Sequence, residues 1–486
     1  MCSEISLLKP ELILAGGSMF VLLTGVYMKN QALAIATSIR LSSLILLGSL
    51  ISLVFLPHIS QNIFNGLYRF DLFGIFVKAV LIFSGAITLI ISSDYIEDKT
   101  NKFGFEYPIL VLLSVLGMLI MVSANDLLTL YLGLELQSLS AYVLAAIKRE
   151  DKNATEAAIK YFVLGALASG ILLYGATLIY GYLGSTNFTN IALTLHGHAA
   201  LSQGVIVGLV FVLIGFSFKL SAAPFHMWTP DVYEGVPTPV TAYFAIVPKL
   251  AAMALFIRLL VGGPFAGYAN QWEQIVIAVS VISMVVGAFG GIWQSNIRRL
   301  LAYSSISNMG YALLGVVANS TDGIQATLVY FVIYIITSIA LFAILLSLKS
   351  NQKLIEKIDD FKGLASRHPI VALVLSLLLF SMIGLPFPPF PGFFAKFFVF
   401  SAAINSGFYA VAVIGMITSI VAAYYYLRII KIMYFDKADE HVRISLSAGK
   451  ISLFVIFMIS FLSLAIFIMP STLLDPAYAA AFSLFK

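Results

Sequence analysis

The sequence predicts an all-α, polytopic membrane protein of about fourteen transmembrane helices, with two inverted five-helix repeats whose seventh and twelfth spans are broken. Three observations predict it. Hydrophobic residues make up 60% of the 486 residues and charged ones only 10%, a balance too poor in charge for a soluble surface. Apolar runs of about 20 residues recur, each long enough for a hydrocarbon core of about 30 Å. Two of the runs carry a lysine beside prolines: Lys219 near Pro224, and Lys396 after Pro386, Pro388, Pro389 and Pro391. The bilayer turns such runs into helices, because every backbone polar group must pair internally. A transmembrane β-barrel would alternate in polarity along each segment, and these segments do not.

In order, the spans fall near 10–28, 33–56, 70–92, 107–124, 126–147, 155–181, 204–223, 237–262, 272–293, 297–317, 323–348, 370–400, 406–434 and 450–470. The first lacks a basic leading region and a small-residue cleavage site, so it reads as a retained span. Residues 1–106 form a three-span segment, 107–262 the first five-helix unit, 263–434 the second and 435–486 a last span. An odd number of spans per unit inverts the second copy, and inverted repeats with broken helices near the midplane are a transporter signature.

Basic residues set the orientation. The side reached after the first span, side A, carries Lys99, Lys102, Lys148, Arg149, Arg298, Arg299, Lys349, Lys353, Lys357 and Arg443 among others, while side B has little beyond Arg69. Side A is therefore expected in the cytoplasm and both termini on the opposite side. The same asymmetry explains the net charge of +5 without a nucleic-acid partner. The single cysteine, Cys2, excludes an intrachain disulfide and an iron–sulfur cluster held by the chain's own cysteines. His58, His196, His198, His368 and His441 lie in or beside loops with no metal-ligand spacing. Walker A, dinucleotide-binding and H-E-x-x-H patterns are absent. The chain is thus expected to do no covalent chemistry alone and to draw its free energy from a partner or an ion gradient.

The chemistry rests on intramembrane charges, each of which costs about 2.5–3.5 kcal/mol on insertion scales. Tyr131, Glu135, Ser138 and Tyr142 share one face of span five. Glu135 reads as a functional carboxylate beside a lysine or as a structural, hydrogen-bonded acid. Lys219 precedes a helix break that can admit water; its alternative is snorkelling to the interface. Lys249 sits about halfway along its span, where snorkelling is harder. Lys396 is either a path residue or a cap on a half-helix C-terminus. Lys160 and Lys78, one to two turns inside their spans, remain open between snorkelling and function, while Arg40 and Arg258 are expected at the interface. His226, in the connector after Lys219, is either a proton relay between Lys219 and Lys249 or a loop histidine. Tyr303, Ser307 and Tyr311 on span ten, and Tyr330, Tyr334, Thr337 and Ser338 on span eleven, form polar stripes that line water or simply join helices.

The run PFHMWTPDVYEGVPTPV over 224–240, flanked by Lys219 and Lys249, resembles the antiporter-like proton-pumping subunits of respiratory complex I, a family that includes Mrp-type cation/proton antiporter subunits. The likeness extends from span four to span thirteen. The opening LLKPELILA, the segment GFFAKF, the little chain after span fourteen and Lys396 in place of a glutamate favour neither the L nor the M type of member. The resemblance implies a proton-translocating subunit of NADH:quinone oxidoreductase. Its ionisable set is Glu135, Lys219, Lys249 and Lys396, with Lys160, His226 and Tyr303 in secondary positions. It implies no cofactor or metal in this chain, with FMN, iron–sulfur clusters and quinone in partner subunits. It further implies subunits M and K and lipids as neighbours, and a bacterial inner membrane. One departure stands out: the family pattern G-I-P-P-x-x-G-F is here the longer GLPFPPFPGF over 384–393. An Mrp-type antiporter would use the same lysines; a purely structural scaffold would leave their summed insertion cost unexplained.

Overall fold

The structure, a computed structural model, describes residues 2–57, 59–97, 103–197, 199–350, 353–387, 390–437, 444–446 and 449–485. Pro388 and Pro389 of the expected break, the histidines His58, His198 and His441, and the cations Lys99, Lys102 and Arg443 lie outside the described residues.

Among the described residues, twelve helices are long and apolar enough to cross a membrane. They are α2 (Lys9–Tyr27), α3 (Gln31–Val54), α4 (Leu72–Glu97), α5 (Glu106–Ser123), α6 (Leu127–Ala145), α7 (Lys152–Leu183), α9 (Gln203–Leu220), α11 (Thr238–Phe256, continued by a π-turn Ile257–Val261), α12 (Ala269–Ile292), α13 (Ile297–Val317), α14 (Thr321–Ser347) and α18 (Tyr409–Phe435). The pair α19 (Lys450–Ile468) and α20 (Ser471–Phe482) is apolar enough for a further span and is bent by 79° between the two helices. The place of span twelve is taken by α16 (Pro369–Ile383) and α17 (Gly392–Asn405), which at about 1.5 Å per residue are each too short to cross alone. Short helices α1 (Cys2–Leu7), α8 (Phe188–Leu195), α10 (Trp228–Gly235) and α15 (Leu364–Arg367) complete the set.

Polar residues start the helices. Asp126 Oδ1 accepts from the Leu128 and Thr129 amides at 2.8 and 3.1 Å, and Asp151, Asn187 and Asn296 cap α7, α8 and α13 in the same way. At one end of the bundle a hairpin, β1 (Gln61–Ile63) with β2 (Tyr68–Phe70), bridges to Ala124. At the other end β3 (Leu348–Ser350) pairs antiparallel with β4 (Lys353–Leu354) and with β5 (Ile444–Leu446), Lys349 facing Leu354 and Ser445.

Three tight helix pairs use glycine. A Cβ on Gly117 of α5 would lie 2.6 Å from the Gly133 carbonyl of α6; one on Gly175 of α7 would lie 2.6 Å from the Gly208 carbonyl of α9; one on Gly310 of α13 would lie 2.8 Å from the Ser280 carbonyl of α12. Backbones meet directly there, as small residues allow in membrane bundles. The centre is α11, α13 and α14, each 94% buried over its apolar window. Peripheral α2, α3, α7, α12 and α18 keep much of their apolar surface outward. Replacing Gly133 by Val should separate α5 from α6, and native gels of solubilised membranes should show the folded subunit reduced several-fold, whereas Gly170→Val, where a Cβ meets nothing within 4 Å, should not.

Candidate functional site

Lys219 occupies the last turn of α9, one residue before the helix stops. Ser221 then adopts φ 63°, and its amide closes back on Phe218. The span therefore ends three residues earlier than its apolar run. The freed groups find partners: the Phe218 carbonyl accepts from the Trp228 indole at 3.0 Å, and the Ala223 amide donates to Ser283 Oγ at 2.8 Å. The helix terminus favours the ammonium by its dipole. Lys219 Nζ, buried, donates to Ser138 Oγ at 2.6 Å and to the Tyr142 hydroxyl at 3.0 Å. Both belong to the predicted polar face of α6. Glu135 is on that face too, half-buried, with Oε1 shut away from hydrogen-bond donors. Ser138 and Tyr142 make the lysine's direct hydrogen bonds, with Glu135 beside them on the same face.

Lys249 follows Pro248 in the middle of α11 and is almost fully buried. Its Nζ donates to Ser305 Oγ of α13 and lies 5.5 Å from the Tyr233 ring. The Tyr334 hydroxyl of α14 donates to the same Ser305 oxygen at 2.9 Å. Lys396, on the first turns of α17, donates to the Ile383 carbonyl at 2.9 Å and to Ser419 Oγ at 2.7 Å, with the Tyr311 ring 5.0 Å away. Ile383 is the last residue of α16, so Lys396 does cap a half-helix, and it does so from inside the bundle.

Small cavities lie beside Lys219 and Lys396. One of about 10 Å³ is bounded by Lys219, Gln137, Tyr161, Trp228 and Pro248, the residue before Lys249. Another of about 20 Å³ is bounded by Tyr334, Asn308, Tyr330, Thr337, Ser381 and Lys396. A space of about 10–15 Å³ is what one water needs. Hydroxyls hold each of the three lysines, one water-sized gap touches Lys219 and another touches Lys396. The structure assigns span ten's contribution to Ser304, Ser305 and Asn308: Asn308 accepts from Tyr330 at 2.6 Å, and Ser304 bonds Tyr426 at 2.5 Å. Tyr303, half-buried, instead packs over Gly290, and Ser307 Oγ has no hydrogen-bond partner.

The other predicted residues fall elsewhere. His226 is half-buried in the break, its Nδ1 without a hydrogen-bond partner, and the gap beside Lys219 is lined by Tyr161 and Trp228 and not by His226. Lys160 is exposed and paired with Glu156 at 2.8 Å and Asp231 at 3.0 Å. Asp231 and Glu234 also hold Arg299, each at 2.8 Å, around a cavity of about 240 Å³ at the side-A end. Beside it a larger cavity of about 1060 Å³ is bounded by Lys148, Glu234, Arg298, Lys349 and Glu356.

Two buried clusters correct or exceed the sequence reading. Arg258, expected at the interface, is buried: its guanidinium takes Asp71 bidentately, donates from Nε to the Val122 carbonyl at 3.1 Å and lies 5.0 Å from the Phe73 ring. Burial pushes the Asp71 carboxyl up, and Arg258 and Arg69 more than offset this, holding it below the usual carboxylate range. Lys78 is buried as well, 2.6 Å from Glu11. A periodic apolar helix does not announce which of its charges finds a partner 67 residues away in sequence.

A helical membrane fold with broken spans, and lysines at the breaks and the core, defines an antiporter-like ion-translocating subunit. The family described as NADH:quinone oxidoreductase/Mrp antiporter, transmembrane region, matches residues 124–422. NADH-quinone oxidoreductase subunit N of Rhodospirillum rubrum is 45% identical over 97% of this chain and 96% of its own length. The chain belongs to the family of NADH-quinone oxidoreductase subunit N. A chain of respiratory complex I from Thermus thermophilus superimposes with a TM-score of 0.80 at 30% identity, covering 96% of this chain and 98% of its own. A chain of the Mrp complex from Dietzia shares the fold, with a TM-score of 0.79 at 22% identity over 99% of this chain and 96% of its own.

Replacing Arg258 by Leu leaves Asp71 buried beside a single, half-exposed Arg69, a loss expected to cost about 3–5 kcal/mol. Thermal aggregation of the solubilised complex should shift down sharply, while the exposed Arg40→Leu should leave it unchanged.

Proposed function

We propose that this chain is the proton-translocating subunit N of an NADH:quinone oxidoreductase, seated in the bacterial inner membrane and driven by redox chemistry in partner subunits. The observation that carries the reading is the row Lys219, Lys249 and Lys396, each buried and each held by hydroxyl groups. A lysine so held can give its proton to a neighbouring hydroxyl or water and regain it from the other side. Glu135, on the same face of α6 as Ser138 and Tyr142, sets how firmly that lysine keeps its proton. Lys249 passes the proton through the centre by way of Ser305 and Tyr334, and Lys396 receives it beside the half-helix terminus. Lys160, His226 and Tyr303 stand off this row and serve it indirectly, Lys160 through the ion-pair cluster at the side-A mouth.

The reading treats 1–106 and 435–486 as flanking segments around two inverted repeats, 107–262 and 263–434. It puts side A in the cytoplasm, both termini in the periplasm, and subunits M and K alongside. FMN, iron–sulfur clusters and quinone belong to the partners. The 45% identity to a relative named subunit N, against 22% to the Mrp chain, favours this over cation/proton antiport.

The test is redox-driven proton uptake in inverted membrane vesicles, with assembly followed on native gels. Assembled Lys219→Ala should lose NADH–quinone turnover and pumping together, by about a hundredfold if the lysine acts as a proton-transfer group. If pumping is unchanged and only sodium-driven proton exchange disappears, the antiporter reading replaces this one. In the same vesicles, Lys160→Ala should keep turnover within about twofold, because exposed ion pairs contribute little.

A further inference from the structure

A second group of buried ionisable side chains lies outside the lysine row. Glu11 of α2, Tyr68 of β2 and Lys78 of α4 are each at most 5% exposed. Lys78 Nζ donates to Glu11 Oε1 at 2.6 Å and to the Tyr68 hydroxyl, and that hydroxyl donates to the same Glu11 Oε1 at 2.8 Å. Both donors crowd onto one carboxylate oxygen, while Glu11 Oε2 is buried without a hydrogen-bond partner. An ionised carboxylate left half-unsatisfied in the interior is costly. Protonation of the carboxyl removes its charge, and with it the cost of an ionised group in the interior.

The neighbours extend the cluster. Gly74 stands four residues before Lys78, on the same face of α4. A Cβ there would meet Asp71 Oδ1 at 3.1 Å, Arg258 Nη2 at 3.4 Å and Ser123 Oγ at 3.4 Å. The Asp71–Arg258 pair is therefore seated about one helical turn from Lys78. Arg69 adds a bond to Asp71 at 3.2 Å and to the Gly262 carbonyl at 2.9 Å. From α3, Ser49 Oγ donates to the Pro10 carbonyl beside Glu11. Arg258 lies on the span that carries Lys249, nine residues further on.

We propose that Glu11, Tyr68 and Lys78 form a second proton-exchange site, near the β1–β2 hairpin end of the bundle and electrostatically joined to the Lys249 span through Asp71 and Arg258. Only a proton moves. Transfer from the Lys78 ammonium to Glu11 Oε1, its hydrogen-bonded acceptor, leaves an amine and a carboxylic acid, with the total charge unchanged. Release of that proton past Tyr68 to the hairpin side leaves the site one charge more negative. Arg258, which lies on the Lys249 span and holds Asp71 about one turn from Lys78, feels that charge. The inference rests on the proton-translocating reading for its purpose, and its spectroscopic arm does not depend on that reading.

The experiment compares the native complex with Glu11→Gln, which keeps the Oε1 acceptor and removes the titrating group. Infrared difference spectra across a pH step should show a protonated-carboxyl band in the native complex that is missing from assembled Glu11→Gln. The pH profile of NADH-driven pumping should be displaced from that of the native complex. An unchanged spectrum together with a native pH profile would mean that Glu11 is permanently ionised and only structural, and the proposal falls. If Glu11→Gln does not assemble, Tyr68→Phe decides, since it keeps the ion pair: a displaced pH profile supports the site, and native behaviour overturns it. If Lys219→Ala has already refuted proton pumping, the infrared band alone still decides whether Glu11 takes up a proton.

Discussion

An ammonium group out of water must be met by oxygen, and that constraint arranges most of this protein. Each central lysine sits where the backbone or a neighbouring helix supplies such oxygen. Lys219 stands at the end of α9 and turns to Ser138 and Tyr142. Lys396 reaches the last carbonyl of α16 and Ser419. Lys249 meets Ser305 beside Pro248. The helix breaks are therefore part of the same solution as the charges: a broken span exposes carbonyls and turns a helix terminus toward the bundle interior.

The rest of the bundle protects that arrangement. The three most enclosed helices, α11, α13 and α14, either carry these groups or present the hydroxyls that hold them. Glycine pairs at Gly117–Gly133 and Gly175–Gly208 bring neighbouring helices to backbone contact, which leaves little room for lipid or bulk water near the row. Gaps of about 10 and 20 Å³ remain. Spaces of that size admit single waters. The Asp71–Arg258 and Glu11–Lys78 pairs satisfy the same demand for paired charge near the hairpin end.

Much of the site was legible because membrane chemistry is unforgiving. A lysine in an apolar run is rare enough to single out, so Lys219, Lys249 and Lys396 stood out at once. Helical spacing also placed Ser138 and Tyr142 on the face of Glu135. Spacing alone misjudged Arg258, whose position near a span's end suggested an interface although Asp71 draws it inward. It left Lys78 undecided because its partner, Glu11, is on another helix. On span ten it offered Tyr303, Ser307 and Tyr311; of these Tyr311 faces Lys396, while Ser305 and Asn308 of the same helix bond Lys249 and Tyr330.

The sequence by itself determined the membrane-spanning helical class, the broken seventh and twelfth spans, the charged groups at their breaks and the family. Each follows from local composition, from proline or from a contiguous motif. Only the tertiary structure decided which oxygen each ammonium meets, that Ser138 and Tyr142 make the direct bonds to Lys219 beside Glu135, and that Lys160 is a surface ion pair. Those outcomes depend on helix rotation and on contacts between residues far apart in the chain, which periodicity along one helix does not encode.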